Sequence, residues 1–292
     1  SNQFSLSRQL RCSLSNPLEE IDMVIFINGI PIYTIELKNQ WTGQNAKVHG
    51  VNQYKHKRDI TQPLLNFGRC IVHFAVDTDE IYMTTKLDGA KTFFLPFNLG
   101  NNYGKGNPPN AFGHKTSYFW QDILKRESLA NIIQHFVRFD GAENDALNKK
   151  TLYFPRYHQL EVVRKLIKDT TQNGAGKTYL IQHSAGSGKS NSITWLAYQL
   201  IEAYPESDAV AGTKTVNQPL FDSVIVVTDR RLLDKQLRDN IKDFSEVKNI
   251  VAPAYKSADL KSALENGKRI IVTTIQKFPF IIEGISDMSN KQ

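Results

Sequence analysis

Apolar side chains recur at short intervals through residues 21–38, IDMVIFINGIPIYTIELK, in two β-rich runs on either side of Asn28-Gly29. That dipeptide favours the left-handed conformations of a tight turn, so the segment predicts a β-hairpin. Further strand-like runs occupy residues 70–77, 81–85 and 92–95. Residues 98–116, NLGNNYGKGNPPNAFGHKT, are crowded with Gly, Asn and Pro and predict a long loop. From 119 to 139 the period changes, with Ile123, Leu124, Leu129, Ile132, Ile133, Phe136 and Val137 at helical spacing. A polar stretch at 140–150, DGAENDALNKK, predicts a boundary, and the expected domains are residues 1–147 and 148–292. Beyond it, predicted helices (159–169, 189–203, 231–244, 258–266) alternate with predicted strands (179–182, 224–228, 270–273). Such alternation implies parallel strands joined by crossover helices.

Composition narrows the class. The 292 residues are 40% hydrophobic and 22% charged, which suits folded domains and excludes a disordered chain. At roughly 100–200 residues per domain, the length suggests two. No apolar run approaches the roughly 20 residues that span a bilayer, and no secretory signal opens the sequence, so a membrane protein is not expected and a cytoplasmic one is. Cys12 and Cys70 are too few for a disulfide framework and lack zinc-ligand spacing; His114 and His135 have no metal-like spacing either. The net charge, 36 − 29 = +7, fits general solubility as well as an anionic partner. The opening Ser1-Asn2 and the polar 286–292 end suggest a fragment of a longer protein.

Two stretches have the composition of a phosphate loop, residues 174–178 (GAGKT) and 186–190 (GSGKS). A phosphate cradle needs a strand entering a Gly-rich turn and a helix leaving it, because the helix N-terminus presents free amides and the positive end of its dipole. Only the second is flanked in that way, by TYLIQ and NSITWLAYQL, so 174–178 is expected to be a turn. In the chosen loop the amides of Gly186, Ser187 and Gly188 would wrap the β-phosphate of ATP. Lys189 would reach the β/γ oxygens and Ser190 would ligate Mg²⁺. His183 stands where the full pattern has its first Gly.

The run IQHSAGSGKS resembles motif I of superfamily 2 helicases, which tolerates other residues at that first position. Upstream, FPRYHQ at 154–159 is similar to the adenine-reading segment of such motors, with Gln159 as base contact; a helix cap beside a buried aromatic is the alternative. VIVVTDRRLLDKQL resembles motif Ia and IIVTTIQKF the next strand-end motif. The resemblance implies DNA-track contacts at Arg230, Arg231, Thr274, Gln276 and Lys277.

Asp22, Glu36 and Lys38 form D-x13-E-L-K across the predicted hairpin, with Glu36 and Lys38 on one face of a strand. Paired carboxylates hold Mg²⁺, and a neighbouring lysine can orient or help deprotonate the attacking water. A two-residue turn at Asn28-Gly29 would pair Asp22 with Ile35 and leave Glu36 on the opposite face. A three-residue connection or a β-bulge is therefore required for the carboxylates to meet. The local cluster of Lys55, Lys57 and Arg58 could meet phosphate, although charge runs are usually solvated faces.

EIDMVIFINGIPIYTIELKN, then GVNQYKHKRD and TSYFWQDIL, resemble the nuclease domain of the R subunit of type I restriction enzymes, a PD-(D/E)xK nuclease joined to an ATP-driven motor. The resemblance runs from about Phe4 to Phe278. It implies metal carboxylates at Asp22 and Glu36, a catalytic lysine at Lys38, and DNA contacts at Gln53, Tyr54 and Arg58. The family often shows Q-x-x-x-Y in that last region, where this sequence has Gln53-Tyr54. The implied fold is α/β: a PD-(D/E)xK nuclease-like mixed-sheet domain followed by a partial RecA-like parallel helicase lobe that stops before the acidic Walker B motif.

The implied activity is ATP-dependent translocation on double-stranded DNA with Mg²⁺-dependent cleavage. Methyltransferase and specificity subunits would be partners, and S-adenosylmethionine would belong to the methyltransferase. A fragment ending before the acidic motif is expected to bind ATP·Mg weakly and turn none over. The acidic residue that often precedes the metal carboxylates in this nuclease class is expected to lie before residue 1. The alternative is a superfamily 2 translocase or helicase whose N-terminal domain only binds DNA or partners.

Overall fold

Asn28 and Gly29 take φ values of 52° and 79°, the left-handed pair that a two-residue hairpin turn demands. They join β2 (Glu20–Ile27) to β3 (Ile30–Leu37), preceded by β1 (Phe4–Arg11). The computed structural model describes residues 2–13, 16–141, 144–212, 214–229, 251–254, 258–259, 262–263 and 266–276. Its contacts divide it into two units, Ser1–His158 and Gln159–Gln292.

In the first unit β4 (Val72–Val76), β5 (Ile81–Thr84) and β6 (Leu95–Pro96) complete a six-stranded sheet in sequential order. The β3–β4 pair is parallel and the other pairs are antiparallel. The parallel pair needs a crossover, supplied by helical turns at Gln40–Thr42, Ala46–Gly50 and Gln53–Lys57. Gly50 lets this crossover lie against β4, since a Cβ there would come within 2.9 Å of the Ala75 Cβ. Alternation along β3 sorts its side chains. Tyr33 makes edge contacts with Phe74 and Phe154, and Phe74 makes them with Phe97 and Phe119, at ring separations of 4.8–5.8 Å. Such pairs contribute about 0.5–1.5 kcal/mol each beyond burial. Thr34 instead bonds the Tyr54 hydroxyl at 2.8 Å, and Tyr54 packs with Ile21, Val24, Leu65 and Leu87.

Three expectations change here. β1 was not foreseen, although Phe4, Leu6 and Leu10 alternate with polar residues. The expected strand at 92–95 shrinks to Leu95–Pro96, because the Thr92 hydroxyl bonds Gly89 O and accepts from Asp88 N, closing a turn. The expected helix at 119–139 is broken into a turn at Phe119–Ile123 and α1 (Arg126–His135), with Lys125 extended between them. Its last residues form β7 (Arg138–Asp140), paired with β8 (Thr151–Tyr153), where Phe139 meets Phe67 and Arg138 lies over the Tyr153 ring. The 98–116 segment is a loop of turns, as its composition predicts.

In the second unit, after α2 (Tyr157–Asn173) enters it, α3 (Lys189–Ile201) packs Ala197 and Ile201 on Val226, Ile270 and Val272. A short α4 (Asp208–Ala211) follows. These apolar residues belong to a parallel sheet of β9 (Val224–Thr228), β10 (Val251–Pro253) and β11 (Ile270–Thr274), in the order β10-β11-β9. The expected strand at 179–182 is absent. Leu180 is 96% exposed, while Lys177 and the Tyr179 hydroxyl bind the Asp169 carboxylate near the end of α2. Those polar tethers draw the segment along the helix. The expected helix at 231–244 and part of that at 258–266 lie outside the described residues.

Candidate functional site

The hairpin register decides whether the two carboxylates meet. Phe26 pairs with Pro31 and Ile27 with Ile30, as a two-residue turn dictates, but Ile25 then pairs with Tyr33 and Met23 with Ile35. Ile32 is the extra residue of a β-bulge. It follows Pro31, which still pairs with Phe26, and its carbonyl accepts from Ile71 N at 2.8 Å on the other side. The shift by one places Asp22 across from Glu36.

Lys38 then lies 4.0 Å from Asp22 Oδ2 and 4.0 Å from Glu36 Oε2. It donates to Leu37 O at 3.0 Å, while its own amide donates to Val76 O, which extends β3 against β4. Asp22 Oδ2 accepts from Leu37 N at 2.7 Å, fixing the carboxylate at the strand end. Asp22 is partly open, whereas Glu36 is fully buried.

Glu36 is held from one side only. Its Oε1 accepts from Arg58 Nε at 2.7 Å and lies 2.6 Å from a second guanidinium nitrogen, while its Oε2 accepts no hydrogen bond. Arg58 also donates to Glu20 O at 2.5 Å and lies 3.8 Å from Glu19. Burial pushes the Glu36 carboxyl up to about 8; Arg58 opposes the shift and the Asp22 charge adds to it. A buried carboxylate oxygen without a donor, beside a second carboxylate, fits a hard divalent cation, which would complete its shell with water and phosphate oxygens. Among the described residues no group of three or more His, Cys, Asp or Glu side chains is placed to hold a metal.

Behind the centre, Thr34 bonds both Tyr54 and His73 Nδ1, at 2.8 and 2.7 Å. Burial lowers His73 to about 3, so it stays neutral, and raises Cys70 to about 12, so its thiol is inert.

The second candidate centre is the loop before α3, which a helix leaves but no strand enters, so only half of the expected strand–loop–helix frame is present. Gly186 and Gly188 take φ of 70° and 80°, and Gly188 caps α3 without a side-chain acceptor; the Asn191 amide donates to Gly188 O at 3.0 Å and the Ser187 amide to Ser184 O at 3.3 Å, which leaves the Lys189 and Ser190 amides open to a ligand. Lys189 Nζ donates to the carbonyls of His183 and Ser184 at 3.1 and 2.8 Å, curling over its own loop. The buried Gln159 amide donates to Ser187 O and Gly188 O at 3.2 and 3.0 Å. The other glycine-rich stretch, 174–178, is irregular with a bend at Ala175, and its Lys177 is paired with Asp169 at 2.9 Å.

Comparison with known proteins separates the two regions. Residues 1–92 match the family model for the type I restriction enzyme R protein N terminus, and residues 158–292 match that for the SWI2/SNF2 ATPase. The chain is 25% identical over 277 residues to a Methanocaldococcus jannaschii protein provisionally named as a type I restriction enzyme endonuclease subunit, with 92% of the chain and 22% of that protein covered. The HindI endonuclease subunit of Haemophilus influenzae is 26% identical over 267 residues, covering 88% of the chain and 23% of the relative. A type I endonuclease subunit of Staphylococcus saprophyticus is 25% identical over 289 residues, covering 97% and 27%. The chain spans about a quarter of the length of these relatives.

The bulge, Asp22, Glu36, Lys38 and Arg58 all fall within the R-protein N-terminal match. Of the expected DNA contacts in that region, Tyr54 is fully buried and bonded to Thr34, so its side chain cannot reach a duplex. The Arg58 guanidinium is likewise enclosed among Glu19, Glu20 O and Glu36. Both are corrected to interior roles, and Gln53 stays half-buried on the same turn. In the ATPase match Thr274 is 3% exposed inside the sheet and corrected likewise, while Gln276 is exposed and donates to Asp229 O. Arg230, Arg231 and Lys277 lie outside the described residues.

Proposed function

We propose that this chain is the front part of a type I restriction R protein, with a PD-(D/E)xK nuclease in its first unit and the first, RecA-like lobe of a superfamily 2 motor in its second. The observation that carries the nuclease reading is the bulge-set register, which brings Asp22 and Glu36 together with Lys38 4.0 Å from each. Asp22 and the free Oε2 of Glu36 would hold Mg²⁺, and Arg58, clamped on Oε1, would fix the direction in which Oε2 points. When bound, the ion would supply Lewis-acid stabilisation of the charge that builds on the attacked phosphate. Lys38 would orient the attacking water, help remove its proton and neutralise the same charge.

In the second unit the amides at Gly186, Ser187 and Gly188 would cradle the phosphates of ATP. Lys189 would leave its carbonyl contacts for the β/γ oxygens, and Ser190 would join Mg²⁺. Gln159 supports this loop from behind. The likeness to type I endonuclease subunits supports double-stranded DNA as substrate, ATP-driven translocation before cleavage, and methyltransferase and specificity subunits as partners. No helix among the described residues is long and apolar enough to cross a membrane.

The test is Mg²⁺-dependent cleavage of double-stranded DNA by wild type and Lys38→Ala. A loss of about 10²-fold or more in the variant is expected. Unchanged cleavage would remove Lys38 from the mechanism and return the first unit to a DNA- or partner-gripping role.

A further inference from the structure

Beside Asp22 the sheet opens into a groove of about 720 Å³, lined by residues 6–9 of β1, Asp22 and Met23 of β2, and Leu37 of β3. The groove shares Asp22 with the carboxylate pair, so anything lying in it ends at the candidate centre. Its floor comes from a lapse in the β1–β2 ladder. Arg8 pairs with Met23 and Leu10 with Ile21, which puts Gln9 opposite Asp22, yet that pair is missing and Gln9 takes a φ of 51°. A non-glycine residue in the left-handed region within a strand is a strained arrangement of the kind that re-aims side chains.

The charges lining the groove point to its occupant. Arg11, three residues along β1, is paired with Glu20 at 2.9 Å. Arg8 is exposed and has no hydrogen bond or ion pair among the described residues. A free guanidinium on one wall, an amide next to it and a hydroxyl at Ser7 match the chemistry of a phosphodiester backbone.

We propose that this groove seats the DNA strand beside the phosphate to be cut, with Arg8 and Gln9 gripping its backbone. This rests on the nuclease reading for the neighbouring centre, but it assigns β1 a task of its own: it fixes the register of the strand relative to Asp22 and Glu36. Backbone contacts of this kind carry no base information, so the grip is independent of sequence.

The experiment measures binding of a duplex of about 30 base pairs to the full chain in EDTA over a range of salt, for wild type, Arg8→Ala and Arg8→Lys, with Mg²⁺-dependent cleavage followed in parallel for wild type and Lys38→Ala. Because one phosphate contact contributes about 0.9 to the slope of log K against log salt, Arg8→Ala is expected to flatten that slope by about one and weaken binding about five- to tenfold, while Arg8→Lys keeps the slope. Arg8→Ala with wild-type affinity and slope would overturn the groove, whatever the cleavage result. If Lys38→Ala leaves cleavage untouched while Arg8→Ala flattens the slope, the nuclease reading fails and the DNA grip stands.

Discussion

Arg58 shows how a residue's role can differ from its local setting. The sequence places it at the end of Lys55-His56-Lys57-Arg58, which looks like a phosphate-seeking run, yet its guanidinium turns inward to Glu36, Glu19 and Glu20 O. Charge is legible in a sequence; the partner 22 residues away is not. Removing one member of a buried pair leaves the other uncompensated, so Arg58→Ala is expected to destabilise the protein by about 3–5 kcal/mol in urea unfolding. The double variant with Glu36→Gln should recover part of that loss.

Glu36 gives a second test, with a definite sign. Its folded-state value of about 8 lies above its ordinary 4.5, so the folded state holds the proton more tightly, and stability falls as pH rises from about 4.5 to 8. Glu36→Gln has no such titration. In metal-free buffer its stability relative to wild type should rise between pH 5 and pH 8 by an amount on the order of a few kcal/mol. A constant difference across that interval would show that the carboxyl is not strained by burial. The triad itself, Asp22, Glu36 and Lys38, was legible as residue types and spacing, because carboxylates and lysine close together on a hairpin are a chemical pattern before they are a structural one.

At the level of elements, the hairpin was legible from Asn28-Gly29, and the need for a bulge followed from counting residues on either side of the turn. Pro31 still pairs with Phe26, and the shift comes at the next residue, Ile32, so the bulge directly follows the proline. The second unit was harder to read. Tyr179-Leu180-Ile181 has the composition of a buried strand, but strand formation depends on a neighbour that a linear pattern does not supply, and Asp169 holds the segment on α2. β1 was missed for the opposite reason: FSLSRQLR alternates, but it is polar enough to pass for an exposed end.

Two element-level variants follow. Gly188→Ala would place a Cβ 2.4 Å from Gln159 Nε2 at a φ of 80°, so it should displace the loop's support. The expected result is a cost of about 1–3 kcal/mol in stability and a measurable loss of ATP-analogue binding by calorimetry. Gln9→Gly relieves the left-handed strain in β1 and should stabilise the fold by about 1 kcal/mol in thermal unfolding, while weakening duplex binding.

For the whole molecule, the matches to the R-protein N terminus and the SWI2/SNF2 ATPase fall on the two separately packed units and occur in the order that the sequence motifs suggest. The net charge of +7 gains a local meaning only where structure shows which cations are unpaired: Arg8 in the groove is open to an anionic partner, whereas Arg58 belongs to the interior. We propose that Asp22 and Glu36 form one divalent-metal centre with Lys38 beside it. It is tested most directly by anomalous diffraction from crystals of the chain soaked in Mn²⁺ as a stand-in for Mg²⁺. A peak is expected within about 2.0–2.3 Å of one oxygen from each carboxylate, lost in Asp22→Asn. No peak between them, or one that survives Asp22→Asn unchanged, would contradict it.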